Sequence, residues 1–194
     1  MRLKTKRQLT IVLVVICSLL LGVFTDIAWG WINKVKYPQK YEESVKKYSV
    51  EYDVPEYIIY SIIKVESNFR PSAKSKAGAV GLMQIMPQTF EWLTSDKHFG
   101  EHLEYEKLED PDISIKYGTY YFRYLLNKFD SIETALAAYN AGEGVVSEWL
   151  KDQRYSDDSG SLTDIPYPET ENYLIKANKA IEHYKNLYYK DKEI

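Results

Sequence analysis

The sequence predicts a mostly α-helical protein, in which one helical domain follows an N-terminal membrane-spanning helix. Three observations support this fold class. An uncharged apolar run occupies residues 9–24. Apolar residues recur at three- and four-residue spacing through most of the remaining chain, as in helices that bury one face. No segment alternates apolar and polar residues for long enough to predict a sheet, and 45% hydrophobic content in 194 residues is sufficient for one core.

The N-terminal segment has the features of a membrane anchor. Counted to residue 32 the apolar stretch holds 24 residues with one charge, Asp26, and a spanning helix needs roughly 20. Trp29 and Trp31 stand where interfacial aromatic residues belong. Four basic residues precede the run and favour a cytoplasmic N-terminus: Arg2, Lys4, Lys6 and Arg7. We therefore predict that residues 1–36 form a cytoplasmic tip and an uncleaved signal anchor, with a single pass through the cell membrane.

Two other interpretations of this segment stay open. A cleaved signal peptide would use a small-x-small site, for which Ala28-Trp29-Gly30 is the candidate. A lipoprotein anchor would use Cys17, although the bulky Ile16 precedes it. In all three cases the rest of the chain works outside the membrane. Since Cys17 is the only cysteine, no intramolecular disulfide can form, and with three separated histidines we predict no metal site.

The charge distribution excludes one class of partner. The chain has 25 basic and 28 acidic residues; six of the former and one of the latter lie in residues 1–36, which leaves a net charge of −8 on the remainder. Nucleic-acid binders place basic surfaces on the phosphate backbone and release its counterions. We therefore predict no nucleic-acid partner.

Helical spacing and capping signals divide the exported part. Residues 37–53 predict a stalk helix. Asp53 as an N-cap and Pro55 in the first turn predict the start of the next helix, which ends near Glu66. Later helices are predicted to begin at Pro87, from Asp110-Pro111 onward, after Ser131, at Val145 and at Pro168, the last one running to Tyr188. Residues 68–79 and 151–164 lack periodicity and are predicted loops, His98 and His102 are predicted to be exposed, and residues 189–194 form a tail.

Glu66 is the most unusual charge in the sequence. It ends a helix whose other members, including Ile62 and Ile63, are expected to be buried. Burial disfavours an ionised carboxylate and raises its pKa, which is what a general acid near neutral pH requires. Taken alone, an ordinary helix-end glutamate paired with Lys64 or Arg70 is the simpler interpretation.

Four ordered sequence blocks change that interpretation. They are ESNFRPSAKS at 66–75, GAVGLMQIMP at 78–87, AYNAG at 138–142 and IPYPETENY at 165–173. Their content and order resemble the soluble lytic transglycosylase family, which is related to goose-type lysozyme. The resemblance extends over residues 54–184 and implies a lysozyme-like helical catalytic domain, which we assign to residues 54–188.

The resemblance also implies roles for individual residues. Glu66 matches the catalytic acid/base. Six residues match positions that bind substrate or line the groove: Ser75, Gln84, Met86, Tyr139, Asn140 and Glu169. Four of these have a second interpretation: Met86 could belong to the core, and Tyr139 could serve helix packing like most of the 18 tyrosines. Asn140 could close the turn before Gly142, and Glu169 could interact with the dipole of the last helix. Lys76 departs from the neutral residue that many relatives carry.

By this resemblance the protein is a monomeric peptidoglycan lytic transglycosylase that faces the cell wall. It would cleave the β-1,4 bond between N-acetylmuramic acid and N-acetylglucosamine and leave 1,6-anhydromuramyl ends, without metal or cofactor. The blocks supply one obvious carboxyl group, where most glycosidases use two. Hydrolysis of the same bond by a lysozyme-like muramidase, or glycan binding without turnover, therefore remains an alternative.

Overall fold

The structure is a computed structural model that describes residues 2–157 and 161–190. The chain forms two structural units, Met1–Pro38 and Gln39–Ile194. The helices are α1 (Arg2–Lys36), α2 (Glu42–Tyr52), α3 (Glu56–Glu66), α4 (Pro87–Thr94), a 3₁₀ turn (Tyr105–Glu109), α5 (Pro111–Phe129), α6 (Ile132–Ala141), α7 (Glu143–Trp149) and α8 (Pro168–Tyr188). Within the described residues the extended pairings are isolated bridges. The mostly α prediction is therefore confirmed.

The first unit is dominated by α1. Residues Leu13–Lys36 of this helix have a mean hydropathy of 2.1 and are long and apolar enough to cross a membrane. Its large apolar side chains, such as Leu19 and Phe24, are exposed within the chain. A helix that is apolar on all sides needs an apolar surrounding.

The core of the second unit is built around α3. This helix carries apolar or aromatic residues on every face, and its residues 57–63 are all buried. A helix of this composition must be surrounded by other elements, and α3 packs mainly against α8 and also against α2. The α6 helix contacts α5, α7 and α8. Helix α3 is consequently held by α8 and α2, and α8 in turn packs against α6.

The α2 helix lies where the sequence predicts a stalk, and it packs against α3 and α5. Val45 and Tyr48 are buried, and the Tyr48 hydroxyl donates to Asp112 Oδ2 at 2.7 Å. Asp53 ends this helix at φ 52°, with its N–H donating to the Ser49 carbonyl. The prediction of Asp53 as the N-cap of α3 is wrong, because Pro55 occupies that position.

Two glycines allow close approaches between the α5 region and the loop before α4. At Gly81 (φ +89°) a Cβ would stand 2.1 Å from the Leu108 carbonyl oxygen. At Gly118, inside α5, a Cβ would stand 2.4 Å from Met83 Sδ. Met83 is fully buried, and its N–H donates to Ser114 Oγ at 3.2 Å. The chain at Gly81 and Met83 therefore packs closely against the 3₁₀ turn and α5.

The predicted exposure is wrong for one histidine. His98 is half-buried, its Nδ1 lies 3.2 Å from the Tyr120 hydroxyl, and its ring centroid lies 3.9 Å from that of Trp92. His102 is exposed, as expected. The aromatic cluster that covers His98 combines α4 and α5, which local sequence cannot bring together. The predicted 151–164 loop includes residues 158–160, and the predicted tail includes residues 191–194; both segments lie outside the described residues.

Candidate active site

Glu66 is the last residue of α3 and borders a cavity of about 330 Å³. Beyond it, Asn68 and Phe69 adopt positive φ values of 51° and 62°. The chain therefore turns sharply, and the buried Phe69 ring fixes the turn against Tyr60. Backbone strain of this kind persists only where the surrounding packing determines it. The turn leaves the side chain of Glu66 at the wall of the cavity.

The surroundings of Glu66 favour its neutral form. The residue as a whole is half-buried, but its carboxyl group is deeply enclosed by protein atoms. Burial raises the pKa of this carboxyl to about 7, an effect that the Tyr173 hydroxyl opposes. Lys64 and Arg70, the partners expected of an ordinary helix-end glutamate, donate instead to Asn68 Oδ1 and to the Ser67 carbonyl. The expected desolvation of Glu66 is thus present.

Two tyrosines, the buried Tyr173 and the half-buried Tyr139, stand beside this carboxyl group. Burial, and next the negative charge of Glu66, raise the pKa of both Tyr139 and Tyr173 well above the usual value. The Tyr139 hydroxyl donates to the Met83 carbonyl at 2.8 Å, which fixes its ring. The Tyr173 hydroxyl is buried and makes no hydrogen bond of ordinary geometry among the described residues. Its interaction is with the neighbouring Glu66 carboxyl, whose pKa it lowers.

Ser75 and Gln84 are held in place by the loop between α3 and α4. The Ser75 hydroxyl oxygen accepts from the Ala79 N–H at 2.9 Å, so its own O–H is left to donate elsewhere. Gln84, at φ 49°, directs its amide nitrogen at the carbonyls of Ala73 (3.0 Å) and Gly81 (2.9 Å). The amide nitrogen of Gln84 is thus held by backbone carbonyl groups. Its carbonyl oxygen remains as an acceptor at the cavity wall.

All seven residues that the sequence identifies line this one cavity. They are Glu66, Ser75, Gln84, Met86, Tyr139, Asn140 and Glu169. The three apolar residues around Gln84 separate clearly: Met83 and Ile85 are 0% and 2% exposed, whereas Met86 is 40% exposed. The Met86 side chain therefore lines the wall of the cavity, whereas Met83 and Ile85 belong to the core. Glu169 is exposed in the first turn of α8, so a dipole interaction and a place at the cavity are both compatible with its position.

Sequence reasoning did not identify Tyr173 as a site residue. It lies at the end of the fourth block, one helical turn after Glu169 on the same face of α8, and it is buried whereas Glu169, in the first turn, is exposed. The sequence predicts that Tyr173 belongs to the last helix. It does not predict that α8 packs against α3, which is what brings Tyr173 to Glu66. Lys76, noted only as a departure from the family pattern, also lines the cavity.

Chemically, the arrangement combines a proton donor with fixed polar groups. A carboxyl group with a pKa near 7 is partly protonated at neutral pH and can both donate and accept a proton. A serine O–H, an amide oxygen and a tyrosine O–H surround it. Such a site suits acid/base cleavage of a polar, hydroxyl-rich substrate.

Comparisons with known proteins agree with this geometry. The family profile "Transglycosylase SLT domain" matches residues 43–161. The soluble lytic murein transglycosylase of Escherichia coli K12 is 32% identical over 166 residues, or 84% of this chain. The membrane-bound lytic murein transglycosylase C of Glaesserella parasuis is 29% identical over 170 residues, or 77% of this chain.

Solved structures extend the similarity to the fold. The 70-kDa soluble lytic transglycosylase of Escherichia coli superposes on 79% of this chain with a TM-score of 0.70 and 31% identity. Its complex with bulgecin A gives a TM-score of 0.71. An inactive glutamate-to-glutamine mutant of the lytic transglycosylase Slt from Pseudomonas aeruginosa gives 0.69. The expected lysozyme-like transglycosylase fold is therefore confirmed. This chain spans about a quarter of the soluble relative and about half of the membrane-bound one.

Proposed function

Because the chain belongs to the transglycosylase SLT domain family, we propose that it is a peptidoglycan lytic transglycosylase with Glu66 as its catalytic acid/base. The bond cleaved is the β-1,4 linkage between N-acetylmuramic acid and N-acetylglucosamine. The products carry 1,6-anhydromuramyl ends. The single observation that carries the proposal is the enclosed Glu66 carboxyl, with a pKa near 7, at the wall of the cavity.

The first step needs Glu66 in its protonated form. It donates its proton to the glycosidic oxygen, so the N-acetylglucosamine side leaves as a neutral hydroxyl. The cationic muramyl carbon is stabilised by the acetamido oxygen of the same sugar. Gln84 and Ser75 hold the substrate through the amide oxygen and the hydroxyl proton that the loop leaves unused. Positioning of this kind is worth several kcal/mol of the barrier.

The second step uses the same group as a base. Glu66, now ionised, takes the proton of the muramyl C6 hydroxyl, whose oxygen attacks C1 and closes the anhydro ring. The proton balance is restored, so Glu66 is ready for the next bond. Tyr139 and Tyr173 stand beside the carboxylate that forms transiently; Tyr173 lowers the pKa of Glu66 and so favours that ionised form. Met86, Asn140 and Glu169 complete the substrate-facing wall.

Relatives support this assignment. Those named above are lytic murein transglycosylases by name, and one solved relative is inactive as a glutamate-to-glutamine mutant. The corresponding test here is digestion of purified peptidoglycan by the full chain in detergent, with Glu66→Gln as the inactive partner. Reaction products are reduced with borohydride and weighed by mass spectrometry. We expect muramyl ends that resist reduction and weigh one water less than the hydrolytic product.

The two alternatives give different outcomes in the same test. Muramyl ends that borohydride reduces would mean that water is the acceptor, and Glu169, in the same cavity, would become the first residue to examine. Binding of peptidoglycan without any products would indicate a glycan-binding protein. Full activity of Glu66→Gln would overturn the assignment of Glu66.

We further propose that α1 tethers the domain to the cell membrane as a single, uncleaved span, with the N-terminus in the cytoplasm and the domain facing the wall. Its support is the apolar stretch Leu13–Lys36 and the basic residues that precede the apolar run. The mass of the protein isolated from membranes tests the tether, because cleavage near Ala28 would shorten the chain and lipidation at Cys17 would add an acyl mass. Protease treatment of intact spheroplasts tests the orientation: loss of the domain is expected, and full protection would reverse it.

A further inference from the structure

The connection between the two structural units is very short. Helix α1 ends at Lys36, and the second unit begins at Gln39. The N–H of Tyr37 donates to the Asn33 carbonyl at 2.8 Å, which continues the hydrogen-bonding pattern of α1 by one residue. Pro38 follows, and its ring fixes φ. From the Cα atom of Lys36 to that of Gln39 the chain can span at most about 11 Å.

The first residue of the second unit is held in place. The Gln39 side-chain amide donates to the Tyr189 hydroxyl at 3.0 Å, and this hydroxyl donates to Glu56 Oε2 at 2.7 Å. The Tyr189 ring also packs edge-on against Tyr57, at a centroid distance of 5.9 Å. Gln39 is therefore tied to the start of α3 and to the residue that follows α8, and it is not part of a flexible linker.

Helix α2 adds no length to the connection, because it packs within the second unit. The Ser44 and Tyr48 hydroxyls donate to the two carboxylate oxygens of Asp112, both at 2.7 Å. Val45 is fully buried. A helix that bridges two domains through solvent is polar on all sides, whereas α2 buries one face. The distance between the anchor helix and the folded domain is consequently set by residues 37 and 38 alone.

The active site lies at the opposite end of α3 from this attachment. Because a helix rises about 1.5 Å per residue, about 15 Å separates Glu56 from Glu66 along α3. Two side chains and two hydrogen bonds join Gln39 to Glu56. With the short connection included, the Glu66 carboxyl lies within roughly 45 Å of the end of α1. We call this distance the reach of the active site; its upper limit follows from the lengths of these segments.

We propose that the protein is a short-reach enzyme, whose substrate is the glycan that lies at the outer face of the cell membrane. The inference rests on the proposed function and on the proposed single span of α1. A domain on a flexible linker samples a depth that grows with the square root of linker length, and here no such linker is present between α1 and Gln39. Strands deeper in the wall are therefore beyond the active site. The substrate must be supplied by a reaction that delivers glycan at the membrane face, such as membrane-bound glycan polymerisation.

A variant with a longer connection tests this limit. Between Pro38 and Gln39 we insert about 80 Gly/Ser residues, a flexible segment with an end-to-end distance of about 50 Å, which roughly doubles the reach. The matched control carries the same segment before Met1, where it cannot extend the reach. Each form of the full chain is reconstituted in phospholipid vesicles and, separately, kept in detergent.

Two substrates separate reach from catalysis. Soluble, peptide-free glycan strands diffuse to the active site, whereas the strands of insoluble peptidoglycan sheets must be reached where they lie. The readout is the initial rate of anhydro-end formation on the sheets divided by that on the soluble strands. Each ratio in vesicles is then compared with the ratio of the same form in detergent, which removes differences in amount, vesicle orientation and folding.

In vesicles we expect the insertion after Pro38 to raise this ratio roughly twofold, in proportion to the depth reached, and the control insertion to leave it unchanged. An unchanged ratio after the insertion, or a wild-type ratio that is the same in vesicles and in detergent, overturns the inference. Absence of anhydro ends from soluble strands in detergent would instead contradict the proposed function, so the two failures are distinguishable.

Discussion

Replacement of Glu66 by glutamine should stabilise the folded protein at neutral and alkaline pH. The reason is that the enclosed carboxyl group has a pKa of about 7 in the folded chain and about 4.5 when unfolded. The folded state therefore holds a proton that the unfolded state releases between these two values. The contribution of Glu66 to stability is complete below pH 4.5, falls as the pH rises, and is lost above 7.

The magnitude follows from the size of that shift. One pKa unit corresponds to about 1.4 kcal/mol, so a rise from 4.5 to about 7 makes ionisation in the folded protein about 3 kcal/mol less favourable than in the unfolded chain. Contact of the carboxyl with the cavity makes this an upper value. Glutamine has nearly the same shape and never ionises. For a domain of this size the difference corresponds to roughly 6–12 °C in Tm.

The assay is thermal or urea unfolding of the full chain in detergent at pH 4 and pH 8, followed by tryptophan fluorescence. The wild type and Glu66→Gln should unfold alike at pH 4, where both side chains are neutral, and the variant should be more stable at pH 8. Glu148→Gln, at an exposed position, serves as the control and should show no such pH dependence. Equal stability of Glu66→Gln and wild type at pH 8, or the same gap at both pH values, would refute the argument that desolvation raises the pKa of Glu66.

Three further predictions follow from the same geometry. The cleavage rate on peptidoglycan should fall roughly tenfold per pH unit above about 7, because only protonated Glu66 donates; a rate that keeps rising to pH 9 would contradict this. Tyr139→Phe leaves the buried Met83 carbonyl without its partner and should cost about 1 kcal/mol of stability and roughly tenfold in rate, measured by unfolding and turnover. Gly118→Ala places a Cβ 2.4 Å from Met83 Sδ and should destabilise by about 1–3 kcal/mol, whereas Gly144→Ala, with nothing within 4 Å, should be neutral or stabilising in the same melts.

The sequence by itself determined the parts that depend on local order along the chain. Helical spacing and the prolines predict the helices from Pro87, Pro111 and Pro168, and all three begin at those residues. Ser131 was correctly identified as a cap, since its hydroxyl accepts from the Thr134 N–H. The four sequence blocks identify Glu66 and the six candidate substrate-binding residues, because a family motif is a property of the order of residues along the chain.

Only the tertiary structure decided what depends on elements distant in sequence. The packing of α8 on α3 brings Tyr173 to Glu66. The absence of a side chain at Gly118 leaves space for Met83, whose carbonyl oxygen accepts a hydrogen bond from the Tyr139 hydroxyl. The aromatic cluster between α4 and α5 buries part of His98 against the sequence expectation. A cavity lined by Trp92, Tyr121 and Glu143 likewise forms only where α4, α5 and α7 meet.

The pKa of Glu66 combines both levels. Its apolar neighbours Ile62 and Ile63 are readable from the helix that carries them, and they predict the direction of the shift. The size of the shift depends on how completely residues from other helices exclude water from the carboxyl group. The spacing of apolar residues along one helix predicts which face of that helix is buried. The desolvation of the Glu66 carboxyl depends on all the residues that pack against that face.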